Sequence, residues 1–131
     1  PKGNHPLTQN QTNPAPYLLM DGPEVYRFAV AAICNDLRSV AKAAGIELTD
    51  LDYIIPHQAN LRIIEGAAKR LKLPMDKFVL RVNGCGNTSA ASIPLVLDEL
   101  NRSNTFKPGT RIALTAFGGG LTTGACVIEW A

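Results

Sequence analysis

Apolar residues recur three and four apart from Phe28 onward: Phe28-Ala29, Ala32-Ile33, Leu37, Val40-Ala41 and Ala44 fall on one stripe. That period predicts an amphipathic helix, entered at Pro23 and stopped at Gly45. Proline suits a first helical turn, whose N–H groups have no partner there, and glycine accepts the left-handed backbone that ends a helix. Leu51 to Pro56 is a short apolar run and predicts a buried strand. From Asn60 to Lys72 the helical period returns, with Leu61, Ile64, Ala68 and Leu71 on the inner face and Pro74 beyond the end. Lys77 to Val82 reads as a further strand, residues 83–88 as a glycine-rich turn, and Ser89 to Arg102 as a third helix. The first half of that helix (Ala90, Ala91, Ile93, Leu95, Val96, Leu97) is apolar nearly all round, which predicts full burial. Pro94 either bends it or sits in an early turn. Lys107 to Thr110 turns into strand Arg111–Phe117, and Gly118 to Thr122 connects that to strand Thr123–Trp130.

Upstream the pattern changes. Residues 1–16 are polar and proline-rich, and predict a loop or linker without a core; Tyr17 to Met20 predicts a short strand, and residues 17–131 form one domain. Strands alternating with helices and closing on two adjacent strands predict an α/β fold with a mixed five-stranded sheet and helices on its faces. Five of the nine prolines fall in the first 23 residues, and the chain opens at Pro1, so it is expected to begin inside a longer protein.

Composition narrows the classes. At 131 residues, with 46% apolar and 18% charged residues, the chain has globular make-up and enough length for a core without staples. A net charge of +2 argues against nucleic acid, and no apolar run is long enough to span a bilayer. Three cysteines without a CxxC pair argue against a disulfide framework or a structural metal, and point to a reducing cytoplasm.

Three loops carry candidate chemistry, each at an expected strand end. Pro56-His57-Gln58-Ala59-Asn60 puts a histidine between a strand and a helix, a usual place for functional groups in α/β folds. Taken alone it is equally a satisfied, half-buried histidine. Gly84-Cys85-Gly86-Asn87-Thr88-Ser89-Ala90-Ala91-Ser92 allows close approach of another group, though Asn87 also suits a helix cap. Phe117-Gly118-Gly119-Gly120 marks an unusual turn or backbone N–H groups offered to an anion or carbonyl. A histidine, an asparagine and a backbone donor loop are together the parts that polarise a thioester carbonyl.

The runs PHQANLRI, GNTSAAS and AFGGGLTTG, in this order, resemble the C-terminal half of β-ketoacyl-acyl-carrier-protein synthase III of the thiolase superfamily, from about Tyr17 to Trp130. The resemblance implies a thiolase-like layered fold and one half of a two-half enzyme. It implies decarboxylative condensation of a short acyl-CoA with malonyl-acyl carrier protein, initiating type II fatty-acid synthesis, with no resident cofactor or metal. By matching motifs His57 and Asn87 are the catalytic histidine and asparagine, while the nucleophilic cysteine belongs to the N-terminal half. Gly119, flanked by Gly118 and Gly120, offers the oxyanion N–H, and Phe117 lines the acyl pocket. Arg62, Asn60, Gln58, Tyr26, Lys69, Arg70 and Arg27 are expected to meet pantetheine or the acyl carrier protein. Residues 62–81 hold six basic residues against two acidic ones; the plain alternative is a solvated face with a Glu65–Lys69 pair. Expected partners are therefore acyl-CoA, the acyl carrier protein, a complementary N-terminal half, and a second copy in a full-length homodimer, with neither nucleic acid nor membrane. This chain alone is expected to be inactive.

Two departures from the family stand out: Pro23 replaces a frequent Asn, and Thr123 a frequent Trp that would shape the acyl pocket. Cys85 lies two residues before Asn87 and is an alternative nucleophile for a small Cys-His enzyme. Its flanking glycines place it in a turn rather than at the helix start that activates a thiol. Other readings are a related starter condensing enzyme of polyketide or alkylquinolone type, and a noncatalytic interaction domain of the same fold.

Overall fold

The computed structural model describes residues 20–131, so the expected linker over 1–16 and all but Met20 of the strand expected over 17–20 lie outside the described residues. Helix α1 runs from Gly22 to Ala44. The Asp21 carboxylate accepts from the Glu24 N–H at 3.0 Å, Pro23 sits in the first turn, and Gly45 at φ 69° donates back to the Ala41 and Lys42 carbonyls. A short 3₁₀ turn (Leu48–Asp50) leads to strand β1, Tyr53–Pro56. Asn60 caps helix α2, Leu61–Leu71, accepting from the Arg62 N–H at 2.9 Å. After a single helical turn α3 (Val82–Cys85) come helix α4 (Ser92–Arg102), strand β2 (Arg111–Gly118) and strand β3 (Thr122–Glu129).

The strands lie in the order β1-β2-β3. β1 is parallel to β2, with Tyr53 opposite Ile112 and Pro56 opposite Thr115; β3 is antiparallel to β2, from Arg111–Glu129 to Gly118–Thr122. Alternation then divides the side chains between two cores. Ile54 and Ala113 face α1 and α2, packing with Ile33, Leu37, Ile64 and Ala67. Ile55 and Ile112 face the other way, onto Val96 and Leu100 of α4 and onto Phe106. The sheet is therefore mixed and covered by helices on both faces, as the alternating pattern predicts.

Of the five expected strands, four fall among the described residues, and three of those four form there. The segment expected as strand Lys77–Val82 makes one bridge, Phe78 to Ile54, and then curls into α3. Its backbone is met by a side chain instead of a strand: the Gln58 amide donates to the Val79 carbonyl at 3.1 Å and accepts from the Arg81 N–H at 2.7 Å. The expected third helix also starts differently. Ser89–Ala91 is a 3₁₀ turn, and the α-helix begins at Ser92 with Pro94 in its first turn, where a missing N–H costs nothing. Nor is this helix buried all round, since Ala90, Ala91 and Pro94 are exposed and Leu95 is 45% exposed. No helix among the described residues is long and apolar enough to cross a membrane.

Candidate active site

His57 is the first residue beyond β1, and its N–H continues the parallel ladder by donating to the Thr115 carbonyl of β2 at 2.8 Å. The chain then turns tightly, Ala59 N–H to His57 carbonyl at 3.0 Å, before Asn60 opens α2. This places the imidazole at the carboxyl end of two parallel strands, where neighbouring loops diverge and leave room for a ligand. The ring is half-buried. Its Nδ1 lies 2.6 Å from the Ser92 hydroxyl, and the ring packs against Phe117 in a T-shaped contact at 5.5 Å between centroids. Burial disfavours the charged ring and holds its pKa below the ordinary 6.5, so His57 is neutral at pH 7, with one nitrogen a donor and the other an acceptor.

The other two loops reach the same end of the sheet. Phe117, against the imidazole, is followed directly by Gly118, the last residue of β2, and by the turn Gly119–Leu121. Gly120 there has φ 82°, a left-handed conformation that favours glycine. A Cβ built on Gly119 would meet nothing within 4 Å, so packing among the described residues does not demand glycine there. The asparagine segment is joined to His57 through Ser92, five residues after Asn87. Asn87 itself is exposed; its Oδ1 accepts from the Ser89 N–H at 3.3 Å, which leaves the amide NH₂ as the end free to donate.

The remaining expected site residues fall into distinct groups. Gln58, expected to meet pantetheine or the carrier protein, is buried. It is 1% exposed, and its amide is used internally, donating to the Pro56 carbonyl at 2.8 Å and the Val79 carbonyl and accepting from Arg81. Asn60 commits its oxygen to the helix cap but is exposed. Arg62, Lys69 and Arg70 are exposed on α2, and no Glu65–Lys69 ion pair forms among the described residues. Arg27 pairs with Glu24 one turn earlier. Tyr26 is 41% exposed and lays its hydroxyl over Gly66 of α2. Cys85 is the last residue of the single turn α3. An open cleft lined by Leu61, Leu80, Arg81, Val82, Asn83 and Gly84 lies beside the loop that follows His57. Ser92, the direct partner of the histidine, is absent from the expected set. The GNTSAAS run contains it, but spacing alone does not say which of its hydroxyls turns toward the ring.

Residues 41–130 match the family described as 3-oxoacyl-[acyl-carrier-protein (ACP)] synthase III C terminal. The chain is 49% identical over 111 residues to the beta-ketoacyl-[acyl-carrier-protein] synthase III of Clostridium acetobutylicum, covering 85% of this chain and 34% of that relative. Among solved structures it is similar to the synthase III of Thermus thermophilus, with 39% identity and a TM-score of 0.87, covering 94% of this chain and 38% of that one. It is also similar to the priming β-ketosynthase of the R1128 polyketide pathway, at 38% identity and a TM-score of 0.78, covering 85% of this chain and 34% of that one. The chain thus spans about a third of the length of these proteins. With the mixed sheet, the three loops at one end of it and this match in hand, the chain belongs to the C-terminal family of the 3-oxoacyl-[acyl-carrier-protein] synthases III, in the thiolase superfamily.

Proposed function

We propose that this chain supplies the decarboxylating half of a β-ketoacyl-acyl-carrier-protein synthase III site, completed by an N-terminal segment that carries the nucleophilic cysteine. The observation that carries this is convergence: neutral His57 is bonded at 2.6 Å to the segment that holds Asn87 and packs against the residue that leads into the triple glycine. In the first half-reaction the cysteine thiolate of the other segment takes the acyl group and releases CoA. Malonyl-acyl carrier protein then loses its carboxylate: the Cα–carboxylate bond breaks, CO₂ leaves, and the electron pair moves onto the thioester oxygen. The His57 Nε2–H and the Asn87 amide donate to that oxygen, each donor contributing about 3 kcal/mol by analogy with other oxyanion sites. The enolate carbon then attacks the acyl-thioester, forming the new C–C bond and expelling the cysteine thiolate. A backbone N–H of the triple glycine, from Gly119, receives the oxygen of that second tetrahedral centre.

Arg62, immediately beyond the histidine motif and exposed, is the anchor for the acidic carrier protein, with Lys69 and Arg70 beside it. The complementary segment covers apolar surface that includes Leu95, 45% exposed, and Leu121, 40% exposed. The full-length protein acts as a cytoplasmic homodimer. Likeness to the R1128 priming ketosynthase favours one second reading, a polyketide starter enzyme with the same two donors and another acyl preference.

Radiolabelled acetyl-CoA tests the division of labour. The 131-residue chain alone takes up no label; with the N-terminal segment supplied, label appears on that segment and condensation begins. Stable, stoichiometric label on Cys85 of the isolated chain would overturn the assignment in favour of a small Cys-His enzyme.

A further inference from the structure

Nε2 is the nitrogen of His57 left for the reaction proposed above, because Nδ1 is engaged by Ser92 at 2.6 Å. Ser92 is the first residue of α4 and 3% exposed. Its hydroxyl turns sideways into the His57 loop, to the imidazole and the Gln58 backbone. The same oxygen lies 3.4 Å from the backbone N of Gln58, a group that can only donate. A hydroxyl has one proton and two lone pairs, so the bonds can be counted. With the Gln58 N–H on one lone pair, a protonated Nδ1 would take the other and leave the buried hydroxyl proton without an acceptor. With Nδ1 bare, the hydroxyl donates to it, and the hydroxyl, Nδ1 and the Gln58 N–H all have partners, which is the rule for buried polar atoms.

We infer that Ser92 is a positioning residue: its hydroxyl donates to Nδ1, fixes His57 as the Nε2–H tautomer, and aims that N–H at the substrate thioester oxygen. This rests on the reading of His57 as an oxyanion donor. The loop is held rigidly enough for the purpose, since the Gln58 side chain is bonded to Pro56, Val79 and Arg81 and the His57 N–H to Thr115. Burial keeps the ring neutral, the only state in which a tautomer exists to be chosen.

The test reads the tautomer itself. Long-range ¹H–¹⁵N correlation spectra of the ¹⁵N-histidine-labelled chain should show His57 with a protonated Nε2 and an acceptor Nδ1. Ser92→Ala should bring in the other tautomer, while Ser92→Thr, which keeps the hydroxyl, should restore the wild-type pattern. A protonated Nδ1 in the wild-type chain overturns the proposal without any variant. So does a Ser92→Ala spectrum unchanged from wild type. With the N-terminal segment supplied, Ser92→Ala should lower kcat for malonyl-thioester decarboxylation by roughly tenfold or more at little-changed KM, the size of effect seen when supporting hydrogen bonds are removed. Ser92→Thr should recover it. Full turnover in Ser92→Ala beside a crippled His57→Ala defeats the positioning role. Full turnover in His57→Ala defeats the functional reading instead, and the tautomer result stands apart from it.

Discussion

Replacing Gln58 should unfasten the loop that carries His57, and the size of the effect follows from three bonds. The side chain is 1% exposed and holds the Pro56 and Val79 carbonyls at 2.8 and 3.1 Å and the Arg81 N–H at 2.7 Å. Gln58→Ala leaves all three backbone groups short of a partner. Each such loss is worth about 1 kcal/mol, and more where water cannot follow. Two of the bonds are fully buried and the Arg81 bond only partly, so water can recover some of the third. The expected loss is roughly 2–3 kcal/mol, or a fall in Tm on the order of 10 °C for a domain of this size. Gln58→Glu should be no better, since a carboxylate places lone pairs against two carbonyl oxygens and buries charge. Thermal and urea unfolding of the purified chains, followed by far-UV circular dichroism, measure both variants. A Gln58→Ala chain that melts within about 1 °C of wild type would refute the bracket and return Gln58 to the ligand surface.

Gly66→Ala should destabilise the α1–α2 crossing by about 1–2 kcal/mol, because the new Cβ would sit 2.6 Å from the Tyr26 hydroxyl and 3.1 Å from Val30; adding Tyr26→Phe should recover most of that loss in thermal melts. The folded-state pKa of His57 lies below 6.5, so below that pH the unfolded chain takes up a proton that the folded chain resists. Stability should therefore be full above pH 6.5 and decline as pH falls through it, and the Tm difference between about pH 7.5 and about pH 5.5 should shrink in His57→Gln. Arg62→Glu in the assembled enzyme should cost about tenfold more with malonyl-acyl carrier protein than with malonyl-CoA, a gap that narrows as salt rises; equal losses would mark Arg62 as an ordinary surface charge.

The helices were legible where their ends are chemically marked. Pro23 and Gly45 mark the ends of α1 and Asn60 the start of α2, as local propensity predicts, whereas Lys72 closes α2 in the left-handed region at φ 57° without such a mark. Strands β2 and β3 were likewise readable from their apolar runs. The segment 77–82 was not, because its backbone is satisfied by a glutamine some twenty residues away, a non-local bond that no window of sequence contains. The same bonds give Gln58 a structural role that its motif does not announce. It sits inside a motif of functional residues, and a buried amide looks identical in sequence to one that binds a ligand. Apolar residues at the start of α4 announced burial, but composition does not say whether the covering surface lies among residues 20–131. Of the site, the three loops were visible and Ser92 was not, since its partner is 35 residues upstream.

The central claim is that His57 and Asn87 jointly receive the charge of one thioester oxygen. Decarboxylation of malonyl-acyl carrier protein, measured as released CO₂ with the N-terminal segment supplied, tests it without relying on the condensation step. His57→Ala and Asn87→Ala should each slow release by about 100-fold, and the double variant should fall short of the product of the two because both act on one oxygen. Acyl transfer from acetyl-CoA to the cysteine segment should persist in both. Wild-type CO₂ release in either single variant, or loss of acyl transfer with decarboxylation intact, would contradict the account.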